Sequence, residues 1–266
     1  MSESSTDRPV ILRRTQMSTA AWQLLCESTS ATLGLPAGAV ADAEPLSAEA
    51  TAAGWAELHE LEMSPLPGEV TRQWTGAVAL LLTAPLTITA RATYNGVSTT
   101  SALGLRAGRG LAVHQRHLSV QGADGTTITG SEDSMEVTLF TEENVWGAVS
   151  RLLPPLDVVR APAKAAPLDS EPSTVLGAGT DPASLPPEEA NITLSVTATT
   201  AELPPRVWAG MWSVHNEQLY SVTTRTEQIP EVRLTPVPAG HIAHELVFAV
   251  VGAHEALAAA EKAAAQ

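Results

Sequence analysis

The chain predicts an α+β fold made of duplicated β-β-β-β-α halves, related by a pseudo-two-fold and sharing a central antiparallel sheet flanked by helical bundles. Three observations predict it. Two stretches alternate apolar and polar residues with a period of two, Ile88-Ala90-Ala92-Tyr94 against Thr87-Thr89-Arg91-Thr93, and Ile192-Leu194-Val196-Ala198 against Thr193-Ser195-Thr197-Thr199. Such a period marks a strand with one dry and one wet face. The order strand, strand, strand, strand, helix over 86–153 recurs over 191–259. Between the two copies lie Pro162, Pro167, Pro172, Pro182, Pro186 and Pro187, the composition of an extended connector. Each copy has a half-buried face, so packing the two together is the simplest way to bury both.

The elements follow in order. Residues 1–8 are polar and read as a disordered start to an N-terminal half over 9–160. Val10-Ile-Leu12 is a short strand. A helix begins after Ser18 or Thr19, either of which can cap it, and ends near Gly34-Leu-Pro36, with Trp22, Leu25, Cys26 and Thr29 on one face. A second helix spans about 47–62 behind Ser47, points Trp55, Leu58 and Leu61 inward, and stops at Pro65 and Pro67. A third follows Gly68, striped by Val70, Trp74, Ala77, Val78 and Leu81, and ends at Pro85. The first long strand runs into Asn95-Gly96, a pair that tolerates positive φ. Ser101, Leu103 and Leu105 alternate next, and Gly108-Arg-Gly110 turns the chain into Leu111–His117. A loop rich in Gly, Asp and Thr leads to a strand with Met135, Val137 and Leu139. Thr141 then caps a helix with Glu142 and Glu143 in its first turn, where the dipole favours anions. Phe140 and Val145 occupy its staple positions, and Trp146, Val149 and Leu153 face the sheet.

Residues 161–190 form the Pro-rich linker, and 191–266 the C-terminal half, the whole making one compact domain. Pro204-Pro205 precedes a strand over Val207–His215. Leu219–Arg225 and Glu231–Leu234 are the third and fourth strands. The last helix carries Ile242, Leu246, Ala249, Val250, Ala253 and Leu257 on its packed face, and Ala258–Gln266 reads as its frayed end.

Composition excludes several functions. With 15 Lys and Arg against 29 Asp and Glu, the net charge of −14 opposes nucleic-acid binding and attraction to an anionic membrane. The apolar run Ala77–Ala90 is too short to span a bilayer. One cysteine, Cys26, makes no internal disulfide and no multi-cysteine zinc site, and a polar, acidic N-terminus is unlike a signal peptide. Both fit a cytoplasmic protein.

Catalytic patterns are thin. His241-Ile-Ala-His244-Glu245 puts two imidazoles on one helical face, a possible metal pair and the basis of an alternative reading as a metallohydrolase. The order matches neither HExxH nor HxxEH, which favours a solvated pair and no metal. His114 and His117 fall on opposite strand faces and do not converge. The glycines at 104, 108 and 110 lack a following Lys-Ser/Thr and sit between strands, so they make a turn and not a phosphate loop. No cofactor site emerges. Six tryptophans remain. Trp22, Trp55, Trp74 and Trp146 occupy core-facing helical positions, whereas Trp208 and Trp212 share a strand face, part of which can serve a partner. A non-catalytic binding protein, such as a general protein-binding scaffold, therefore fits better than an enzyme.

The order of elements resembles the EspG family. The resemblance lies in Val10-Ile-Leu, a helix with Trp22-Gln-Leu-Leu25, the Leu35-Pro36 exit, Gly54-Trp-Ala-Glu-Leu58, a helix entering Ala84-Pro85 and then a strand, and the ending Trp146…Leu152-Leu-Pro154. It covers nearly the whole chain and rests on pattern and order. It implies a cytosolic, non-catalytic chaperone of actinobacterial type VII (ESX) secretion, without cofactors. Such a protein shields the hydrophobic helical tip of a PPE-like or other ESX substrate before export. Carried over by position, the resemblance implies partner contacts in the loop at Asn95, Gly96 and Val97, or at Arg106 and Arg109. It further implies contacts at Trp208, Trp212 and Tyr220 on strands and at Ile242 and Leu246 on the last helix.

Overall fold

The computed structural model describes residues 11–36, 45–122, 125–163, 174–176, 187–200, 203–226 and 230–264. The expected disordered start at 1–8 and most of the Pro-rich linker lie outside them. The strands are β1 (Ile11–Met17), β2 (Leu86–Tyr94), β3 (Val97–Arg106), β4 (Arg109–Gly122), β5 (Gly125–Thr141), β6 (Thr174–Leu176), β7 (Glu188–Ala198), β8 (Arg206–His215), β9 (Gln218–Thr226) and β10 (Pro230–Pro236). The helices are α1 (Thr19–Leu33), α2 (Ala48–Glu60), α3 (Arg72–Leu82), α4 (Val145–Ser150), α5 (Asp157–Arg160) and α6 (His241–Ala264).

The strands follow one another in the order β1-β5-β4-β3-β2-β7-β8-β9-β10-β6. Read outward from the middle, both halves take the same path. β2 to β5 form one meander and β7 to β10 another, and the strand that opens each half, β1 or β6, pairs beside its last, β5 or β10. The halves meet at β2 and β7, which are antiparallel from Leu86↔Ala198 to Tyr94↔Ala190. The fold is thus α+β around a large antiparallel sheet. The N-terminal half differs by carrying α1–α3 between its first and second strands.

Two compact units cut across this repeat, because β3, β4 and β5 each pass from one into the other. The first unit holds the described residues of 1–84, with 103–113 and 133–148. Ser18 caps α1 by accepting from the Ala21 N–H, and Glu57 of α2 accepts from both the Ser18 N–H (2.8 Å) and its hydroxyl (2.5 Å), tying two helices at one cap. Leu24, Leu25, Leu58, Trp74 and Val78 bury against Leu111, Val113, Met135 and Val137 of the strands. Each large side chain so buried is worth roughly 1.5–3 kcal/mol. Arg13 lies 5.1 Å from the centre of the Trp74 ring and donates to the Leu61 carbonyl (3.1 Å), so its charge is stacked as well as bonded. Cys26 is buried, and desolvation, helped by neighbouring Glu27, pushes its thiol far up, which makes it an inert packing residue.

The second unit holds the described residues of 85–102, 114–132 and 149–266. Registers place Ile88, Val196 and Trp208 in one row, Ala90, Leu194 and Gly210 in the next, and Ala92, Ile192 and Trp212 in a third. These rows make an apolar face that α6 covers with Ile242, Ala243, Leu246, Ala249, Val250 and Ala253. The opposite face carries Thr87, Thr89, Arg91, Thr93, Asn191, Thr193, Ser195 and Thr197 beside Val207, Ala209 and Met211. All of these are at least partly exposed.

Several elements depart from the sequence reading. The second hairpin turns at Ala107-Gly108, both at positive φ, so Arg109 and Gly110 already belong to β4. Most of the expected Gly/Asp/Thr loop is strand, because β4 and β5 extend toward each other as a long hairpin whose residues 123–124 lie outside the description. Thr141 makes no side-chain cap bond. The chain enters a 3-10 turn at Glu142–Asn144, and α4 is only six residues long. Val145, Ala148 and Val149 are buried there, while Trp146 is half-buried. The helix α5 has no counterpart in the reading, and Val70 precedes α3, which Thr71 opens. The expected fraying of the last helix does not occur before Ala264.

Gly104 allows α3 its close approach to β3, since a Cβ there would sit 1.9 Å from the Leu80 carbonyl oxygen. Gly104→Ala should therefore destabilise the protein by about 3 kcal/mol, the upper end of overpacking costs. Gly76, exposed in α3 with open space around it, gives the contrasting outcome. Gly76→Ala should stabilise by about 0.5–1 kcal/mol. Urea denaturation midpoints of the two variants check both signs.

Candidate functional site

The proposed contact residues separate into three places. Asn95 and Gly96, at φ 50° and 70°, form the tight turn of the β2–β3 hairpin, and Val97 opens β3. The Ser119 N–H and hydroxyl both donate to the Gly96 carbonyl at 3.1 Å, which anchors the hairpin tip to β4. Beside it lies a groove of about 360 Å³, lined by Tyr94, Asn95, Val97, His114, Arg116 and Arg151 among others. The Ser101 hydroxyl, 2.8 Å from His114 Nδ1, fixes that imidazole. Arg160 commits its guanidinium to the carbonyls of Leu153, Pro154 and Arg151, closing the end of the α4–α5 segment. A second hollow, of about 650 Å³, opens on Asn95 and Gly96 from the side of Glu188, Glu189 and Asn191. The turn thus stands between two concave flanks, with Asn95 and Gly96 exposed.

Arg106 and Arg109 flank the turn at the other end of β3, in the other compact unit. Both are exposed. The turn between them is braced by Glu142, whose carboxylate accepts from the Gly108 N–H (3.1 Å) and whose own N–H donates to the Gly108 carbonyl (3.0 Å). The two arginines are therefore solvent-facing cations on a stiff turn of their own.

The third group is largely interior. Trp212 is 2% exposed, Ile242 1% and Leu246 0%. Trp212 folds over Gly210, whose Cβ would be 2.2 Å from the indole, and its Nε1 donates to His241 Nδ1 at 3.1 Å. Trp208 packs against Gly252 of α6. Tyr220 meets His215 edge to face, 5.7 Å between centroids. Trp212, Ile242 and Leu246 thus seat α6 on the sheet, and their burial leaves little of them exposed for a partner to touch. What α6 offers to solvent is Val247, Phe248 and Val251, which the sequence reading passed over. The signal was available, because the helix is apolar on more than one side.

Within the histidine cluster, His241 is held by packing. His241 Nδ1 is occupied by the Trp212 N–H, and its Nε2 is 4.0 Å from Glu245. His244 faces solvent. Among the described residues no group of three or more His, Cys, Asp or Glu is placed to hold a metal ion.

Burial holds the His241 pKa below its ordinary value of 6.5, with His244 adding to the depression and Glu245 opposing it. The unfolded chain therefore takes up the proton more readily than the folded one. The stabilisation from neutral His241 is complete above the unfolded value and declines as pH falls below it. Protonation also removes the acceptor that Trp212 uses. Acidification from about pH 8 to about pH 5 should lower the urea midpoint, and His241→Asn, which keeps an acceptor without titrating, should lose part of that dependence.

No protein-family model matches the chain, and no curated protein matches it in sequence. Among solved structures it is similar to that of the Mycobacterium tuberculosis type VII secretion system chaperone EspG5 in complex with a PE25–PPE41 dimer. The superposition covers 90% of this chain and 96% of that one, at a TM-score of 0.50 and 8% identity. The chain therefore shares the fold of that chaperone along nearly its whole length.

Proposed function

We propose that the protein is a cytoplasmic, non-catalytic chaperone that grips an apolar helical segment of a partner, of the kind a PE–PPE-type or other type VII secretion substrate presents. The observation that carries the reading is a fold shared along nearly the whole length with a chaperone solved in complex with a PE–PPE dimer. The surfaces fit the task. The β2–β3 hairpin projects between two hollows, and the uncovered face of β2, β7 and β8 is lined with short hydroxyl side chains. Val207 (61% exposed) and Met211 (37%) lie on that face. Threonine and serine let a helix approach the sheet closely and satisfy its stray polar groups, while valine and methionine supply apolar contact. An exposed helical tip aggregates unless it is covered. A few anchors worth roughly 1.5–3 kcal/mol each, less the cost of association, give binding that can be reversed at export. The net charge of −14 keeps the carrier soluble beside such a client.

Co-expression with a helical secretion substrate from the same genome should yield a stoichiometric complex on gel filtration. Val97→Glu and Met211→Glu should each weaken it by about tenfold or more, as expected when a charge enters an apolar contact. Failure to form a complex with every such substrate of that genome overturns the proposal.

A further inference from the structure

The solvent side of α6 has a periodicity of its own. His244, Phe248, Val251, Glu255, Ala258 and Lys262 recur at spacings of four and three, the seam of a coiled coil. All six are exposed, Phe248 by 64% and Val251 by 51%, with Val247 (43%) at their flank. A large aromatic and two valines in the middle of a helix otherwise well seated on its sheet call for a partner.

We propose that this seam docks a second copy of the chain, α6 against α6, antiparallel about a two-fold axis that passes between the levels of Ala249 and Val250. The seam is self-complementary about that point. His244 and Glu255 lie equally far from the axis on opposite sides, as do Phe248 and Val251. Antiparallel pairing therefore sets each His244 imidazole beside the other copy's Glu255 carboxylate, and each Phe248 beside the other copy's Val251. One residue pair buries apolar surface and the other seals it with opposite polarity, and the two-fold doubles both. Neighbouring arrangements lose this match. Parallel helices would stack Glu255 on Glu255 and Lys262 on Lys262. Sliding the antiparallel pair by one heptad sets His244 against Lys262 and Val251 against Glu255. The register that buries Phe248 is thus also the one that sets an imidazole N–H against a carboxylate. A seam of one helix falls below the roughly 1,000 Å² of a stable interface, so the dimer is weak and forms as concentration rises. This inference is independent of the chaperone reading, because no client takes part.

Sedimentation velocity of the full chain, from low micromolar to submillimolar, tests it. The average mass should rise from the 27.7 kDa of one chain toward twice that value. Phe248→Glu, at an exposed position, should stay monomeric throughout, with circular dichroism and thermal midpoint confirming that it is folded. Glu255→Lys alone and His244→Glu alone should each weaken self-association by about tenfold, the scale of ~1.4 kcal/mol. Combining His244→Glu with Glu255→Lys should restore it, since the introduced carboxylate of one copy then faces the introduced ammonium of the other across the axis. A wild type that stays monomeric at the highest concentration overturns the proposal. So does association unaffected by Phe248→Glu, or a double exchange that behaves like the sum of its single variants.

Discussion

The pairing of β2 with β7 is the constraint on which the rest depends. Nine residues of each strand run antiparallel without a break in register, from Leu86↔Ala198 to Tyr94↔Ala190. Because a strand's side chains alternate, that register decides which face every residue of the seam presents. It lines up Ile88 with Val196 and Ala92 with Ile192 on the face that α6 covers, and threonines and serine on the other. A slip of one residue would turn the apolar set of one half toward the hydroxyl set of its neighbour. The covered face, the seat of α6 and the open face all follow from this one alignment. Since β2 and β7 are the first long strands of their halves, joining them puts two like meanders back to back.

Much of this architecture was legible in the residues, for a physical reason. The strands of the seam are dry on one side and wet on the other, so period two is written cleanly in Leu86–Tyr94 and in Glu188–Ala198. Ser18 and Ser47 cap their helices as read, because an N-cap is a local interaction spanning three residues. Legibility fell where distant contacts decide. Glu142 is committed to Gly108, thirty-four residues away, and the chain after Thr141 takes a 3-10 turn in place of a capped helix. The Gly, Asp and Thr residues after β4 carry turn composition, yet hairpin pairing draws them into strand. β6 is only three residues long and is defined by its pairing with Val232–Leu234, which no local pattern announces.

The candidate site was legible only in part. Asn95-Gly96 marks its turn by chemistry that few other residue pairs share, and the hollows beside it arise from residues far apart in sequence. Trp212, Ile242 and Leu246 show the limit from the other side, since all three are buried. Aromatic and large aliphatic residues serve cores and interfaces equally well, so residue type alone does not separate them. Depth separates them, and Trp212 is committed twice over, to Gly210 beneath its ring and to His241 at its nitrogen.

α6 brings these strands of reasoning together. A helix packed on one sheet needs one apolar stripe, and residues on its far side are under no packing demand to be apolar. The inner stripe of α6 is complete, with Ile242, Leu246, Ala249, Val250 and Ala253 buried. Val247, Phe248 and Val251 lie outside that stripe and remain exposed. Length and mean hydropathy alone would let such a helix cross a membrane. His244, Glu255 and Lys262 interrupt its outer seam, which a bilayer would penalise and a protein surface of matching polarity would use. An outer stripe that is apolar at its centre and polar at matched distances on either side, His244 and Glu255, is the pattern that the proposed self-association uses.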